Sequence, residues 1–256
     1  MAPYAAIRQH FATFSWGDLT DMALFAISDP HLSFATDKPM EVFGDHWKDH
    51  PRKIARHWKE LVQDTDTVLV CGDISWSKRL DQARTDLEFL GDLPGQKILT
   101  KGNHDHWWSS TGKVNRVMPP TMRALLNDVV LIDDILIVAV RCWDYPGSPD
   151  YVAADDERSY QRELQRLKST LKQIEPYSGK FKHLLAMLHY PPLYEVNGQR
   201  IGSEFKTALE AAGVTHCVHG HVHGPSLSMV VEGLVDGIMY RCVSVDHVDF
   251  TPQRIF

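Results

Sequence analysis

Five times along this chain a short apolar run stops on a cluster of Asp, Asn or His. Residues 23–28 run into Asp29-Pro30-His31, and 67–71 into Gly72-Asp73. Ile98-Leu99-Thr100 runs into Gly102-Asn103-His104-Asp105, 184–188 into His189, and 215–218 into Gly220-His221-Val222-His223. Compact β-branched runs bounded by turn residues read as buried strands. The C-terminal ends of such strands are where open α/β sheets place their sites. The pattern therefore fixes both a class of fold and one edge of it.

Helical periodicities fill the gaps. Ile54, Trp58, Leu61 and Val62 follow Pro51, which suits a first helical turn. Leu80, Ala83, Leu87 and Leu90 mark a second helix, closed near Gly91 and Pro94. A short helix is expected after the Gly102 motif. Over 155–175 the positions Tyr160, Leu164, Leu167, Leu171 and Ile174 form one stripe, with acidic residues in the first turn and Pro176 as the stop. Its charged outer face reads as a solvated surface. Ser203 is the expected N-cap of a helix through Phe205, Ala208 and Leu209, ended by Gly213. Two hairpins are expected: 129–132 with 135–140 across Asp133-Asp134, and 229–234 with 238–245 over Asp236-Gly237.

Three stretches, 34–49, 141–151 and 194–201, read as loops able to shape selectivity. Residues 1–21 read as an N-terminal extension, with a short amphipathic helix through Ile7, Phe11 and Phe14, and 22–256 as one domain without repeat or linker. A 43% hydrophobic content over 256 residues supports a full core. The net charge of -6 advertises no basic face for nucleic acid. An acidic protein handling phosphate esters needs local positive charge, and metal ions are one source of it. Cys71, Cys142, Cys217 and Cys242 form no C-x-x-C and sit in apolar runs, so buried free thiols and a reducing, cytoplasmic compartment are expected. No run is long enough for a secretory signal or a membrane span, so no membrane partner is expected.

Asp29 and His31 are two apart, so on a continuing strand both would point to one side and grip one cation. Asp73 adds a carboxylate able to bridge two metals, His221 and His223 repeat the i, i+2 spacing, His189 supplies an imidazole, and Asn103 an amide oxygen. Mixed nitrogen and oxygen donors without thiolate suit Mn, Fe or Zn in a catalytic site. Two metals roughly 3.5–4 Å apart stabilise the attacking and leaving oxygens of an in-line displacement.

D-x-H, G-D, G-N-H-D, a lone His before Pro, and G-H-x-H, in that order from Asp29 to His223, resemble the calcineurin-like metallophosphoesterase superfamily. The resemblance implies an α/β fold of two mixed β-sheets packed as a sandwich and flanked by helices, in four α/β/β/α layers. It implies that Asp29, His31 and His223 bind one metal and Asn103, His189 and His221 a second, with Asp73 between them. The two ions would be divalent or trivalent, Mn first, with Fe or Zn as alternatives. His104 would touch the scissile phosphate and help the leaving oxygen depart, with Asp105 orienting its ring, while a metal-held hydroxide attacks phosphorus in line. Asp105 is also the nearest sequence candidate to fix the His104 tautomer. The implied activity is phosphoester hydrolysis, a phosphodiesterase ahead of a phosphomonoesterase or protein phosphatase. The competing class is a catalytically silent metal-binding scaffold, against which the retained ligand set argues. Two departures stand out: Trp76 where relatives carry an acidic residue or Tyr, and Tyr190 where many carry His.

Most of the 14 histidines must be ordinary. His10, His46, His50, His57, His183 and His247 read as surface or capping residues, and His106 and His219 as outer partners of the motifs or as packing. Trp107 and Trp108 read as core; Trp47, Trp76 and Trp143 either line a cleft or pack. Arg141 and Arg200 read as solvated charges, with a phosphate clamp as the alternative.

Overall fold

Strand alternation sorts the apolar side chains into three cores, and those cores define the layers. The structure, a computed structural model, describes residues 22–256; the reading of 1–21, with its helix and His10, lies outside the described residues. The first sheet joins β1 (Leu24–Ile27), β2 (Thr67–Val70), β3 (Gln96–Leu99) and β4 (Met122–Ala124) in parallel, with β13 (Gln253–Arg254) antiparallel on the outer edge of β1. The second sheet runs β11 (Gly233–Val235), β12 (Ile238–Cys242), β10 (His216–His219), β7 (His183–Leu188), β6 (Ile135–Val140), β5 (Asp128–Ile132). Its central pairs are parallel and its two edge pairs antiparallel.

Leu24 and Ala26 face Leu185, Met187 and Val218 across the gap between the sheets. Their neighbours Phe25 and Ile27 turn outward, to the core covered by α1 (His50–Leu61) and α2 (Leu80–Gly91). Leu184, Ala186 and Leu188 likewise turn outward, under α4 (Ala153–Leu171) and α5 (Glu204–Ala211). The result is the expected four-layer α/β/β/α sandwich of two mixed sheets. The four cysteines are free and buried, as expected. No helix among the described residues is long and apolar enough to cross a membrane.

Several boundaries differ from the sequence reading. The long helix stops at Leu171, and Lys172–Tyr177 tightens into 3-10 turns that accommodate Pro176. The short helix expected after the Gly102 motif is α3 (Thr111–Asn115), with Ser110 as its N-cap. Residues 194–201 are not a loop: β8 (Leu193–Val196) and β9 (Gln199–Gly202) form a hairpin over Asn197-Gly198. Both turn residues are left-handed, at φ 51° and 73°, as such two-residue turns demand. His50 is buried rather than on the surface, its Nε2 donating to the Pro30 carbonyl at 3.1 Å.

Candidate active site

The parallel order β1-β2-β3 and β6-β7-β10 brings every strand-end motif to one edge of the sandwich. Asp29 and His31 follow β1, Asp73 follows β2, Asn103 and His104 follow β3, His189 follows β7, and His221 and His223 follow β10. Strand alternation is not what aims Asp29 and His31 together. The strand has ended, and both residues are left-handed, at φ 60° and 43°; Asp73 (49°) and His221 (72°) share that conformation. Left-handed backbone is uncommon for such residues and clusters where surrounding structure holds it for function.

Two glycines permit the close approach. A Cβ on Gly102 would sit inside the Asp73 carboxylate, and one on Gly220 would collide with Ser28 and Asp29. Hydrogen bonds then fix the carboxylates. Asp73 Oδ1 accepts from the His104 N–H at 2.8 Å, and Asp29 Oδ2 from the His221 N–H at 2.9 Å and the Ser244 hydroxyl at 3.1 Å. The other oxygen of each faces imidazoles. Asp73 Oδ2 lies 3.5 Å from His189 Nε2, 3.8 Å from His31 Nε2 and 3.9 Å from His104 Nε2. Asp29 Oδ1 lies 3.6 Å from His223 Nε2.

The imidazoles are oriented from behind. His189 Nδ1 donates to the Cys71 carbonyl at 2.9 Å, which turns Nε2 toward Asn103 Oδ1 at 2.7 Å. His221 Nδ1 meets the same amide oxygen at 3.1 Å. His223 Nδ1 donates to Asp246 Oδ1 at 2.7 Å, leaving Nε2 toward Asp29. Metal-binding histidines are commonly held by such a carboxylate or carbonyl at the second ring nitrogen. Sequence reading missed Asp246, although it directly follows the run read as a strand over 238–245, the same signal that marked Asp29 and Asp73; in the structure β12 ends at Cys242 and Asp246 lies on the loop beyond it.

The donor set fits cations. Asp29 Oδ1, His31 Nδ1 and His223 Nε2 are buried without a hydrogen-bond partner, a costly arrangement unless something charged fills it. Asp29, His31 and His223 form one group with metal-ligating spacing, and Asp29, Asp73 and His189 another. Protonation shifts agree. Burial opposes ionisation of Asp29 and Asp73, yet His223 and His189 respectively hold them well below the usual carboxylate range. Burial pushes the His31 imidazole down to about 4 and His221 down to about 3. Burial acts the same way on His189 and His223, but Asp73 raises the former to about 9, and Asp246 with Asp29 raises the latter to about 10. Protons on these two rings occupy the electrostatic place that a cation would take, so cation binding would displace them.

His104 is the exposed member, its side chain 40% accessible where His31 is 4% and His189 is closed off. Asp105 does not orient it. That carboxylate is fully buried and accepts from the N–H groups of Ile74 (2.9 Å), Ser75 (3.2 Å) and Gly102 (2.8 Å) and from Trp107 Nε1 (2.9 Å). Adjacent residues in a tight turn point apart, so sequence proximity misled the assignment. Asp105 clamps the loops after β2 and β3 together.

Trp76 lies parallel to His31, with centroids 4.9 Å apart and 19° between planes, and its ring also meets His104 at 4.5 Å. Aromatic stacking thus supports these rings. Tyr190 packs on His221 at 3.9 Å. Trp47 and Trp76 line a cleft of about 320 Å³ over His31, His104 and His223, whereas Trp143 packs on Tyr190 and Arg141 instead. Arg141 pairs with buried Glu163 at 2.7 Å, and exposed Arg200 lies 3.8 Å from Glu195. Trp107 and Trp108 are core.

Known proteins share this plan. Over 78 residues the chain is 33% identical to the Gene 66 protein of Mycobacterium phage L5, a match covering 30% of this chain and 37% of that protein, so it spans little more than a third of that relative. The phosphopantetheinyl hydrolase (PptH) of Mycobacterium tuberculosis superposes with a TM-score of 0.55 at 17% identity, over 91% of this chain and 95% of that one. The protein TT1561 of Thermus thermophilus does so at 0.50 and 13% identity, over 79% and 82%. These distant likenesses concern the fold. The model of the calcineurin-like phosphoesterase family matches residues 22–225, a span that holds all five motifs from Asp29 to His223, and the chain belongs to that family.

Proposed function

We infer that this chain is a binuclear phosphoester hydrolase, and that diesters are its preferred substrates. The observation that carries the reading is Asp73 Oδ2, on which nitrogens of His31, His104 and His189 converge within 3.9 Å. A carboxylate oxygen so placed is suited to lie between two cations. One cation would be held by Asp29, His31 and His223, the other by Asn103, His189 and His221, with Mn the first choice and Fe or Zn alternatives. When bound, such cations supply Lewis acidity to phosphoryl oxygens and to water.

The chain's own residues do the rest. Burial lowers the His104 pKa against the pull of Asp73. In its imidazolium form the ring can donate the proton at Nε2 to the leaving oxygen and is left neutral. The His104 N–H fixes Asp73 and so ties the loop of the acid to the ligand it faces. Among the described residues no Lys or Arg lines the cleft, which suits a monoanionic diester better than a dianionic monoester. The same absence of cations disfavours nucleic acid as the phosphate-ester substrate. A reducing, cytoplasmic setting agrees with four free thiols.

The decisive experiment is hydrolysis of bis(4-nitrophenyl) phosphate with and without added Mn. Turnover should require the metal, and His104→Ala should lower kcat by about 10²–10⁴-fold with metal content unchanged. Metal binding without turnover of any ester would make the chain a scaffold instead. A further expectation concerns Asp246. Asp246→Ala frees His223 Nδ1 and should weaken metal affinity by roughly 10–100-fold, read by competition with a fluorescent chelator. Unaltered affinity would remove Asp246 from the site.

A further inference from the structure

Exposed apolar side chains on this molecule are not evenly scattered. Of eight large ones among the described residues, Phe34, Val42 and Phe43 sit on a single loop, residues 34–49, with Val42 and Phe43 at 73% and 63% exposure. Clustered apolar exposure beside a site marks a binding surface. The loop is also held in place. The Phe34 N–H donates to Asp86 Oδ1 at 2.9 Å, and the other oxygen of Asp86 takes the Ser75 hydroxyl, one residue from Trp76. Trp76 Nε1 reaches Met40 Sδ at 3.2 Å, and Lys53 Nζ donates to the His46 carbonyl at 2.6 Å.

This pinned loop forms the wall of the cleft. Met40, Phe43, Trp47, Trp76 and Pro225 line it together with His31, His104 and His223. Met40, Phe43 and Trp76 also border a second hollow of about 300 Å³, lined further by Pro39 and Val42. Among the described residues the inner cleft carries no Lys or Arg but does hold Asp246, and the outer hollow holds one acid, Asp37, and one base, Lys38, whose ammonium lies 5.8 Å from the centre of the Trp76 ring. A phosphate seated at His104 therefore places its organic part against aromatic and thioether surface, with no net positive charge to meet a second anionic group.

We propose that the substrate is a phosphoester whose organic group is apolar and uncharged, of the size of an aryl ring or a medium alkyl chain, and that Phe43 selects it. This rests on the phosphoester reading above. Sugar phosphates, polyphosphates and nucleic-acid strands would set hydroxyls or charges on the apolar wall and lose hydration without replacement.

Phosphonates test this without depending on turnover. Calorimetric titration of the Mn-loaded protein should give phenyl- and hexylphosphonate affinities at least about tenfold above that of methylphosphonate, from the apolar area removed from water. The phenyl-to-hexyl ratio tells a flat ring from a chain. Phe43→Ser should erase the gain, bringing the phenyl- and hexylphosphonate affinities down to that of methylphosphonate. Equal affinities for the three phosphonates, no measurable binding of any, or a gain that survives in Phe43→Ser, overturns the proposal. Ester hydrolysis with no apolar preference would leave the hydrolase standing and sink only this inference. An intact phosphonate preference with no ester turned over would do the reverse.

Discussion

Asp73→Asn is expected to lower phosphoester hydrolysis by about a thousandfold or more and to take both metals with it. The amide oxygen can still accept from the His104 N–H, as Asp73 Oδ1 does at 2.8 Å, so the loop after β3 should keep its shape. What the substitution removes is the charge at Oδ2, toward which the nitrogens of three imidazoles point. Elemental analysis of the variant, purified with added Mn, should find bound metal falling from roughly two per chain toward none. A single-ion site elsewhere predicts a different outcome: content near one and much of the activity retained. That result would sink the shared role of Asp73.

Asp105→Ala should act through stability, and strongly. Its carboxylate accepts from three backbone N–H groups and from Trp107 Nε1, all in the interior. Truncation orphans four donors at once, and breaking a buried network of this kind costs about 3–5 kcal/mol. Against a total of about 5–15 kcal/mol for a natural domain, that is a large share. Urea denaturation at pH 7 should show the loss, whereas His104→Ala, at a half-exposed position, should stay within about 1 kcal/mol of the parent. If Asp105→Ala were as stable as the parent and merely inactive, the ring-orienting role implied by family resemblance would be restored.

The difference between Asp105 and its neighbours shows what the sequence discloses. Strand ends were legible because β-branched runs such as Thr67–Val70 stop at a glycine or a polar residue, and parallel strands bring such ends to one edge. The ligand candidates followed from that. The directions of side chains did not follow, since Asp29, His31, Asp73 and His221 all sit in left-handed backbone that alternation cannot foresee. Weak local signals were lost too. Residues 194–201 read as a loop because Tyr194-Glu195-Val196 and Gln199-Arg200-Ile201 are too polar to mark strands without the partner each finds in the other. β4 and β13, of three and two residues, are strands only because β3 and β1 offer them an edge. Trp76 shows the converse: its type was plain, but its stacking on His31 belongs to tertiary structure alone.

Asp29, Asp73 and Asn103 rise from one sheet, His189, His221 and His223 from the other. Ions gripped from both halves would rivet the sandwich across its rim, so that chelation loosens the very seam along which the layers part. Metal supply would then govern how long the folded chain survives heat or protease, quite apart from whether it turns anything over.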